Sequence, residues 1–442
     1  MSLQRHSDPQ SDAAKIGNPQ QGADKGHCKE QDTNTMKSSS MLLPLLASAS
    51  AAAAAADLFV VGSYGGTIDT FSFDTDTAAI AGPLSFTNDS FPAPSWQEIS
   101  ADKKFLYTIE ERTKGDASKG AVTSYAVGKD GALTKVSTAT GLSGPVSLAV
   151  SHDGKLIFTA NYDSSGCSAY SVDPSTGALT WLRDWTFSAP PGPLPQQNAP
   201  HPHQALFDRT GRFVLVPDLG ADLIRIFALT SPDDPVSPVA AELEPVKLPP
   251  GTGPRHGIFF HPLQGGDDDS TASEEASSSY YYLVGELSNT VTAFAVSYEK
   301  EADTVSSSIK LTEIQRLSTL PDDYPDPLAP AAAEIALSPT TNRDGRHTLY
   351  VSNRLDNVFP GSNSIAAYTV DAADGSLQLL GLFDAAVEHT RHFAIHPSGK
   401  WLLTEGMSSN NLVVFELETD TGNIGEKKGT VEVEQPVCLT WL

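Results

Sequence analysis

The chain has 442 residues, enough for two to four compact domains unless a repeat architecture merges them into one. Its 29 Lys and Arg residues stand against 54 Asp and Glu residues, and the formal net charge of −25 repels phosphate backbones and anionic lipid surfaces. We therefore expect no nucleic-acid partner and no membrane partner, and the 34 Gly and 31 Pro residues beside 39% hydrophobic residues favour a turn-rich β protein.

The first 56 residues differ in composition from the rest of the chain. Residues 1–35 are almost entirely polar and lack an apolar period, which predicts a disordered leader. Residues 36–56 place Lys37 before a leucine-rich stretch and end in small residues at Ala56, the layout of a secretory signal peptide that is too short to span a membrane. We expect translation from Met36 and secretion. An Ala/Ser linker in a cytoplasmic protein is the alternative.

From residue 57 onward, one pattern of short strands and turns recurs. A strand leads through an Asp-Gly or Ser-Gly turn to a second apolar strand, and then through a loop to a third strand. Several copies continue through a Gly-x-Leu turn, as at Gly131 and Gly177, into a fourth strand. Six copies start near Ser95, Pro145, Pro202, Pro254, Ala333 and Thr390. Four antiparallel strands in each recurring unit predict propeller blades, because the units of a sandwich would not recur.

A seventh blade is predicted to be split between the two ends of the chain. Residues 58–64 match a second strand, residues 68–74 match a third, and residues 436–442 match the first strand of other copies. The C-terminal strand would then be the innermost strand of the first blade. Residues 57–442 are thus predicted to form one all-β domain, a seven-bladed propeller of four-stranded antiparallel blades, with the ring closed by the C-terminal strand.

Cysteine use argues against a disulfide framework. Apart from Cys28 in the leader, the chain contains only Cys167 and Cys438, which belong to distant blades of the predicted ring. We therefore expect both to be buried free thiols.

Function is sought where the copies differ, because residues that are equivalent in every blade build the scaffold. The ends of the second strands carry a ring of mostly polar residues at one equivalent position: Ser63, Glu110, Asn161, Asp218, Glu286, Asn353 and Gly406. The starts of the first strands add histidines and arginines: His201, His203, Arg255, His256, Arg391 and His392. Since the channel mouth of a propeller gathers loops from all blades, these residues predict a site at that mouth.

Seven motifs in this order resemble the seven-bladed propeller lactonase family, which includes the bacterial-type 6-phosphogluconolactonase and the fungal 3-carboxy-cis,cis-muconate cyclase. They are Pro-His-Pro-His at 200–203, Thr-Gly-Arg-Phe-Val at 210–214, Pro-Asp-Leu-Gly-Ala-Asp at 217–222, Gly-Pro-Arg-His at 253–256, Glu-Leu-Ser at 286–288, Ser-Asn-Arg at 352–354 and Arg-His-Phe-Ala-Ile at 391–395. The resemblance covers residues 57–442. It implies a monomeric lactonase without cofactor or metal ion that opens, or in reverse forms, the ring of an anionic lactone such as 6-phosphogluconolactone or a related sugar or muconate lactone.

The resemblance also implies roles for single residues. By motif position, the proposed muconate-cyclase site falls on His203, Arg255, Glu286 and Arg354, which we expect to be catalytic. The Gly-Pro-Arg-His motif replaces His-Pro-Arg of the muconate cyclase and is closer to the phosphogluconolactonase branch. We expect a second group to bind substrate: Glu110, Asn161, His201, His256, Arg391 and His392.

The residue types suit the opening of a lactone. The reaction needs an activated water and stabilisation of the oxyanion that forms on the carbonyl oxygen. Arginines stay charged and bind carboxylate or phosphate through two parallel hydrogen bonds. Glu286 could orient His203, anchor an arginine or move the proton itself.

The sequence is also compatible with two other classes of protein. A calcium-dependent gluconolactonase-type propeller would use oxygen ligands from Glu110, Asn161, Asp218 and Glu286, although the surrounding arginines and histidines would repel the cation. A non-catalytic extracellular propeller would bind a sugar acid or a partner without turnover.

Expression from Met36 in a fungal host tests the predicted signal peptide. We expect a protein that begins near Asp57 in the medium, because signal cleavage follows small residues, and Asn88 of its Asn-Asp-Ser sequon would be open to glycosylation. N-terminal sequencing of the medium and cell fractions measures this. A cytosolic protein that retains residues 36–56 would contradict it.

Overall fold

The structure is a computed structural model that describes residues 56–87, 93–112, 116–229, 239–262, 279–299, 308–325 and 331–442. The predicted leader at 1–35, the predicted signal peptide at 36–56 apart from its last residue, and the sequon at Asn88 lie outside the described residues. Within the described ranges, no helix is long and apolar enough to cross a membrane.

The described residues form seven antiparallel sheets, which we number as blades in chain order. Blade 1 contains β1 (Asp57–Ser63), β2 (Ile68–Asp74), β3 (Ala79–Thr87) and, from the end of the chain, β29 (Pro436–Trp441). Blade 2 contains β4 (Gln97–Ile99), β5 (Phe105–Glu110), β6 (Lys119–Val127) and β7 (Leu133–Leu142). Blade 3 contains β8 (Pro145–Val150), β9 (Leu156–Asn161), β10 (Gly166–Val172) and β11 (Leu179–Thr186).

The remaining blades follow the same order. Blade 4 contains β12 (Leu206–Phe207), β13 (Phe213–Asp218), β14 (Leu223–Leu229), β15 (Val239–Glu242) and β16 (Val246–Lys247), and a short 3-10 helix, Pro195–Gln197, precedes it. Blade 5 contains β17 (Pro254–Phe260), β18 (Ser279–Gly285), β19 (Thr290–Glu299) and β20 (Ser308–Ser318). Blade 6 contains β21 (Ala331–Leu337), β22 (Thr348–Arg354), β23 (Ser364–Val370) and β24 (Leu377–Asp384). Blade 7 contains β25 (Phe393–Ile395), β26 (Trp401–Gly406), β27 (Asn411–Glu418) and β28 (Asn423–Glu432).

The ring closes as the sequence predicts. Strand β29 pairs antiparallel with β1, so that Val61 lies opposite Leu439 and Phe59 lies opposite Trp441. The same strand packs against β25 of blade 7 and β4 of blade 2, which places it in the inner circle of first strands. The two chain ends therefore build one blade, and the all-β, seven-bladed prediction is confirmed.

The hydrophobic core consists of layers between neighbouring blades. Each of seven buried clusters combines side chains from two adjacent sheets, and one of them joins Phe59 of blade 1 to Leu403 of blade 7. All six residues of β9 are buried because both faces of an inner strand are covered. The outermost strand β11 is mostly exposed or half-buried. Cys167 and Cys438 are buried free thiols, as expected.

The Gly-x-Leu turns at Gly177 and Gly375 pack against the preceding blade. Gly177 and Gly375 have φ of 73° and 74°, a conformation that favours glycine. A Cβ at Gly375 would lie 2.1 Å from the ring of Tyr280 in the preceding blade. The carbonyl of Gly177 accepts a hydrogen bond from Ser124, and that of Gly375 accepts one from Tyr282, in each case from the preceding blade.

The predicted ring of equivalent positions at the ends of the second strands is wrong by one residue at Glu286. Asn161 and Gly285 each pair with the first residue of the next strand, so they are the equivalent positions. Glu286 lies one residue further along, beside the positions of Tyr162 and Arg354, and not in the ring of Asn161. The reason is that β18 ends at Gly285. The comparison of the copies placed Glu286 in the ring because it is polar, without regard to the length of the following turn.

Removal of residues 436–442 tests the ring closure. We expect loss of cooperative thermal unfolding, because the deletion leaves one edge of β1 unpaired and opens the inner circle of first strands. Differential scanning calorimetry measures this. The control is Thr440→Ala, which keeps β29 and loses only the hydrogen bond to the Gln97 carbonyl, and should change the free energy of unfolding by no more than about 1 kcal/mol. An unchanged transition in the truncated protein would contradict the closure.

Candidate active site

A bulge at the start of a first strand brings two consecutive side chains to the same neighbouring blade. In a regular strand, Arg255 and His256 would point to opposite faces of the sheet. The pairing of β17 with β18 shifts register between Pro254 and Gly257, and both side chains reach blade 6. Nη1 of Arg255 donates to the Ala333 carbonyl at 2.7 Å, and the ring of His256 contacts a carboxylate of β21.

Glu286 lies between two buried arginines. Its Oε2 atom is 3.0 Å from Nε of Arg255 and 2.7 Å from Nη2 of Arg354. Arg255 is 2% exposed and Arg354 is 7% exposed, so both guanidinium groups are almost fully removed from water. Neither of these two nitrogen atoms makes a well-aligned hydrogen bond. The contacts are therefore ion pairs in which Nε of Arg255 and Nη2 of Arg354 keep hydrogen-bonding capacity for a ligand.

A third arginine joins this cluster without a carboxylate of its own. The guanidinium carbon of Arg391 lies 5.6 Å from the centre of the Tyr64 ring. The Tyr64 hydroxyl donates to Glu111 at 3.1 Å. Burial disfavours the charge of Arg391, but Tyr64, Glu111 and Glu286 raise its pKa overall. In the described part of the chain, no carboxylate lies within ion-pair distance of Arg391.

Two histidines and one glutamate form a hydrogen-bonded chain next to the arginines. Nδ1 of His256 is 3.0 Å from Oε2 of Glu334, and Nε2 of His256 is 3.1 Å from Nδ1 of His203. The ring of Tyr162 meets His203 edge-on at 5.8 Å. All three members of this hydrogen-bonded chain are buried. His203 stands at its end and uses only Nδ1, so Nε2 of His203 takes no part in the chain.

Burial and the neighbouring charges set the ionisation of the residues in the site. Burial, together with Arg255, His256 and Arg391, lowers the pKa of His203 well below 6.5, so that His203 is neutral at pH 7. Burial opposes ionisation of Glu286, but the arginines hold its pKa below the ordinary 4.5. Burial and the other arginines lower the pKa of Arg255 to about 9, so its guanidinium remains charged at pH 7.

Some predicted substrate-binding residues have structural partners. The Glu110 carboxylate accepts a hydrogen bond from Thr123 at 2.7 Å, and the Asn161 amide donates to the Leu142 carbonyl at 2.8 Å. His201 stacks on Tyr162 with ring centres 4.1 Å apart, and its nitrogens contact the Tyr162 carbonyl and Asn198. These groups hold the blades and loops together around the site.

His392 is held in a second dyad beside the first. Its Nδ1 atom lies 2.7 Å from Oε1 of the buried Glu405. Burial lowers the pKa of His392, but the Glu405 carboxylate outweighs it and raises the pKa overall. The edge-on ring of Trp96 contacts both His256 and His392, with centres 5.0 and 5.7 Å away, and separates the two dyads.

The sequence interpretation missed Glu334, Glu405 and Trp96. Glu334 follows three alanines at the start of β21, at the position that His256 and His392 occupy in their blades. A charged residue in an otherwise apolar first strand was the available signal. The contact of Glu405 with His392 depends on the pairing of β25 with β26, which no motif shows.

A cavity of about 260 Å³ lies between the loops of blades 6 and 7. Its lining includes Asp356, Asn363, Glu388 and His389. Burial, together with Arg354 and Arg391, lowers the pKa of His389 to about 4, and Leu355 of the lining directly follows Arg354 in the sequence.

Comparison with known proteins identifies what this architecture resembles. A family model described as the 7-bladed beta-propeller lactonase matches residues 58–441. A protein of Arthroderma benhamiae named probable 6-phosphogluconolactonase is 47% identical over 86% of this chain and 88% of its own length. The 6-phosphogluconolactonase of Bacillus subtilis is 30% identical over 86% and 97%. The periplasmic gluconolactonase PpgL of Pseudomonas aeruginosa superposes with a TM-score of 0.71 at 27% identity, covering 87% of this chain and 99% of that one.

Glu286→Gln tests the charge balance of the cluster. We expect the free energy of unfolding to fall by about 3 kcal/mol, because two buried guanidiniums lose their shared carboxylate. Since the folded-state pKa of Glu286 lies below 4.5, its stabilisation is present above pH 4.5 and disappears as the pH falls through the folded pKa. The difference in Tm between Glu286→Gln and the unmodified protein should therefore become smaller at acid pH.

The control for this variant is Glu313→Gln, which removes the largely exposed partner of Arg316 and should leave Tm nearly unchanged. Added phosphate should restore part of the Tm of Glu286→Gln by binding the unpaired arginines. Equal Tm values for Glu286→Gln and the unmodified protein would contradict the buried cluster.

Proposed function

The chain belongs to the seven-bladed β-propeller lactonase family, and we propose that it hydrolyses an anionic lactone at the mouth of its channel. The observation that carries this proposal is that Arg255 and Arg354 share the single carboxylate of Glu286, while the neighbouring buried Arg391 has no ion-pair partner among the described residues, in a protein of net charge −25. A buried guanidinium without an ion-pair partner favours an anionic ligand over a neutral one. The names of the similar proteins make a sugar lactone, with or without phosphate, the first substrate to test.

Arg391 is assigned the anionic group of the substrate. Its guanidinium has no ion-pair partner among the described residues, and the Tyr64 ring supports one of its faces. A planar guanidinium can hold a carboxylate or a phosphate through two parallel hydrogen bonds. The cavity beside His389 has room and hydrogen-bonding groups for the uncharged remainder of the molecule, such as sugar hydroxyls.

Arg255 and Arg354 are assigned the carbonyl oxygen. Their donors that face Glu286 are poorly aligned, so a developing oxyanion can take hydrogen bonds from them without displacing strong ones. Glu286 fixes both guanidiniums in place before substrate binds, which avoids the cost of arranging them during the reaction. Glu286 acts here as the anchor of the two arginines, because its carboxylate contacts them.

His203 is assigned the proton transfer. Its neutral ring accepts a proton from water while the water oxygen bonds to the lactone carbonyl carbon. When the tetrahedral intermediate collapses, the bond to the ring oxygen breaks and this oxygen takes the proton from the His203 imidazolium. The product is the open hydroxy acid. An anionic substrate offsets the field of the arginines, so His203 is a stronger base in the complex than in the free protein.

The calcium-dependent alternative is less compatible with the hydrogen bonding. Asp218 forms an ion pair with Arg225 at 2.8 Å, and the oxygens of Glu110 and Asn161 also serve hydrogen bonds within the blades. Glu286 lies at a different level of the ring and is bound to arginines. A hard cation would have to replace these contacts with its own.

We also propose that the protein is secreted. Residues 36–56 have the layout of a signal peptide, and they lie outside the described residues apart from Ala56. An extracellular enzyme would meet unphosphorylated sugar lactones or carboxylated lactones more readily than a phosphorylated intermediate of the cytosol. The substrate comparison must therefore include all three kinds.

Turnover of three lactones tests the proposed function: 6-phosphogluconolactone, unphosphorylated gluconolactone and a carboxylated muconolactone. We expect hydrolysis of at least one anionic lactone with kcat/KM above that for the neutral lactone, because Arg391 adds binding only to an anion. A pH-stat measures acid release. Activity should persist below pH 6.5, since the pKa of His203 lies well below that value, and the acid limb of kcat should lie at higher pH than that of kcat/KM.

The variant His203→Gln sharpens this test. It should lower kcat roughly 10²- to 10⁴-fold with little change in Tm, since it removes the base and keeps the size of the side chain. The control is His347→Gln, a histidine that bonds to the Ser338 carbonyl away from the arginines. Binding of all three lactones without turnover would favour a binding propeller, and full activity of His203→Gln would refute the assignment.

A further inference from the structure

The chain from Glu334 through His256 to His203 is buried and continuous. Glu334 is 5% exposed, His256 is 1% exposed and His203 is 4% exposed. The link from Glu334 to His256 measures 3.0 Å, and the link from His256 to His203 measures 3.1 Å. The chain joins three adjacent blades, because Glu334 comes from blade 6, His256 from blade 5 and His203 from the segment that enters blade 4.

We propose that Glu334 is a positioning residue that acts through His256 to hold the proton of His203 on Nδ1 and to keep Nε2 of His203 as a lone pair for the reacting water. This inference deepens the lactone hydrolysis proposed above and rests on it. It assigns a task to two residues, Glu334 and His256, that the mechanism of the arginine cluster leaves without one.

The direction of each proton follows from Glu334. Burial would raise the pKa of this carboxyl, but His256, His392 and Arg255 lower it to about 2, so Glu334 is ionised and can only accept hydrogen bonds. Nδ1 of His256 must therefore carry a proton. A neutral imidazole has one N–H group, so Nε2 of His256 accepts, and Nδ1 of His203 must donate to it. The lone pair of His203 is then on Nε2.

Both histidines are neutral because of the groups that face them. Burial lowers the pKa of His256 to about 4 against the opposing pull of Glu334. His203 faces His256, Tyr162 and three arginines, namely Arg255, Arg354 and Arg391. His256 faces His203, Glu334, Arg255 and Arg391. In the described part of the chain, Nε2 of His203 has no hydrogen-bond partner, so its lone pair is available to a ligand.

The dyad of His392 and Glu405 provides a matched comparison. It has the same geometry, with Nδ1 of a buried histidine 2.7 Å from a buried carboxylate. No hydrogen bond links His392 to His256 or His203 among the described residues, and the Trp96 ring contacts both His392 and His256. A change at Glu405 alters a histidine–glutamate pair of the same kind without removing a hydrogen bond from the chain to His203.

The structure also indicates what an amide at position 334 would do. The backbone N–H of Ile335 donates to Oε1 of Glu334 at 3.1 Å, so the oxygen of a glutamine would stay at that position. Its NH₂ group would then replace Oε2, which lies 3.0 Å from Nδ1 of His256 against 3.2 Å for Oε1, and would donate to Nδ1. Each proton in the chain would reverse: His256 would donate from Nε2, and His203 would carry its proton on Nε2 with no lone pair for water.

The experiment combines histidine NMR with kinetics on Glu334→Gln, Glu405→Gln and the unmodified full chain. Long-range ¹H–¹⁵N spectra of protein with ¹⁵N-labelled histidine report which ring nitrogen carries the proton, and His203→Gln assigns the signal. We expect Nδ1–H for His203 in the unmodified protein and in Glu405→Gln, and Nε2–H in Glu334→Gln. On the lactone that the unmodified protein hydrolyses best, Glu334→Gln should lower kcat roughly 10²- to 10⁴-fold at nearly unchanged KM.

The outcomes separate this inference from the proposed function. If the unmodified protein hydrolyses no lactone, the proposed function fails, while the NMR spectra still decide the proton positions. Nε2–H on His203 in the unmodified protein overturns the inference even if Glu334→Gln does not fold. It is also overturned if Glu334→Gln keeps the His203 tautomer and the pH profile of kcat, or if the tautomer reverses while kcat does not fall.

Discussion

Two nearly fully buried guanidiniums, Arg255 and Arg354, share a single carboxylate, and this constraint governs the rest of the site. Burying a charge costs several kcal/mol unless opposite charges and hydrogen bonds compensate it. Glu286 and the carbonyls of Ala331 and Ala333 supply part of that compensation. Arg391 also acts on Glu286. Burial, together with the arginines, keeps His203 neutral, and His256, His392 and Arg255 keep the buried Glu334 ionised. In the proposed mechanism, an anionic substrate pairs with Arg391.

Such a cluster requires a scaffold that does not relax around it. The seven hydrophobic layers between blades, the glycine turns that dock on the preceding blade, and the strand that joins the two chain ends all restrain movement of the first strands. The bulge in β17 then brings Arg255 and His256 to the same neighbouring blade. In the proposed mechanism, Arg255 binds the carbonyl oxygen of the substrate and His256 positions the proton of the base, so adjacent residues of one strand have two different roles.

Much of this architecture could be predicted from the sequence, because the strand pattern recurs and the turns carry Gly and Pro. The split first blade was predictable because residues 436–442 match the first strand of other copies, while residues 58–64 and 68–74 match a second and a third strand. The histidines and arginines at the channel mouth were visible as differences between copies. The position of Glu286, one residue beyond the ring at the ends of the second strands, was not predictable, since it depends on where β18 ends and not on residue type. Glu334 was also missed, because its role arises only when blades 5 and 6 pack side by side.

We propose that the arginine cluster and His203 together form one site for an anionic lactone. A crystal structure of the complex with 6-phosphogluconate, the open form of 6-phosphogluconolactone, would test this site. We expect one anionic group of the ligand within about 3 Å of the Arg391 guanidinium, and the carboxylate at C1 bound by Arg255 and Arg354 with His203 Nε2 beside it. A ligand bound away from the three arginines, or a cluster left unchanged at saturating ligand, would contradict it.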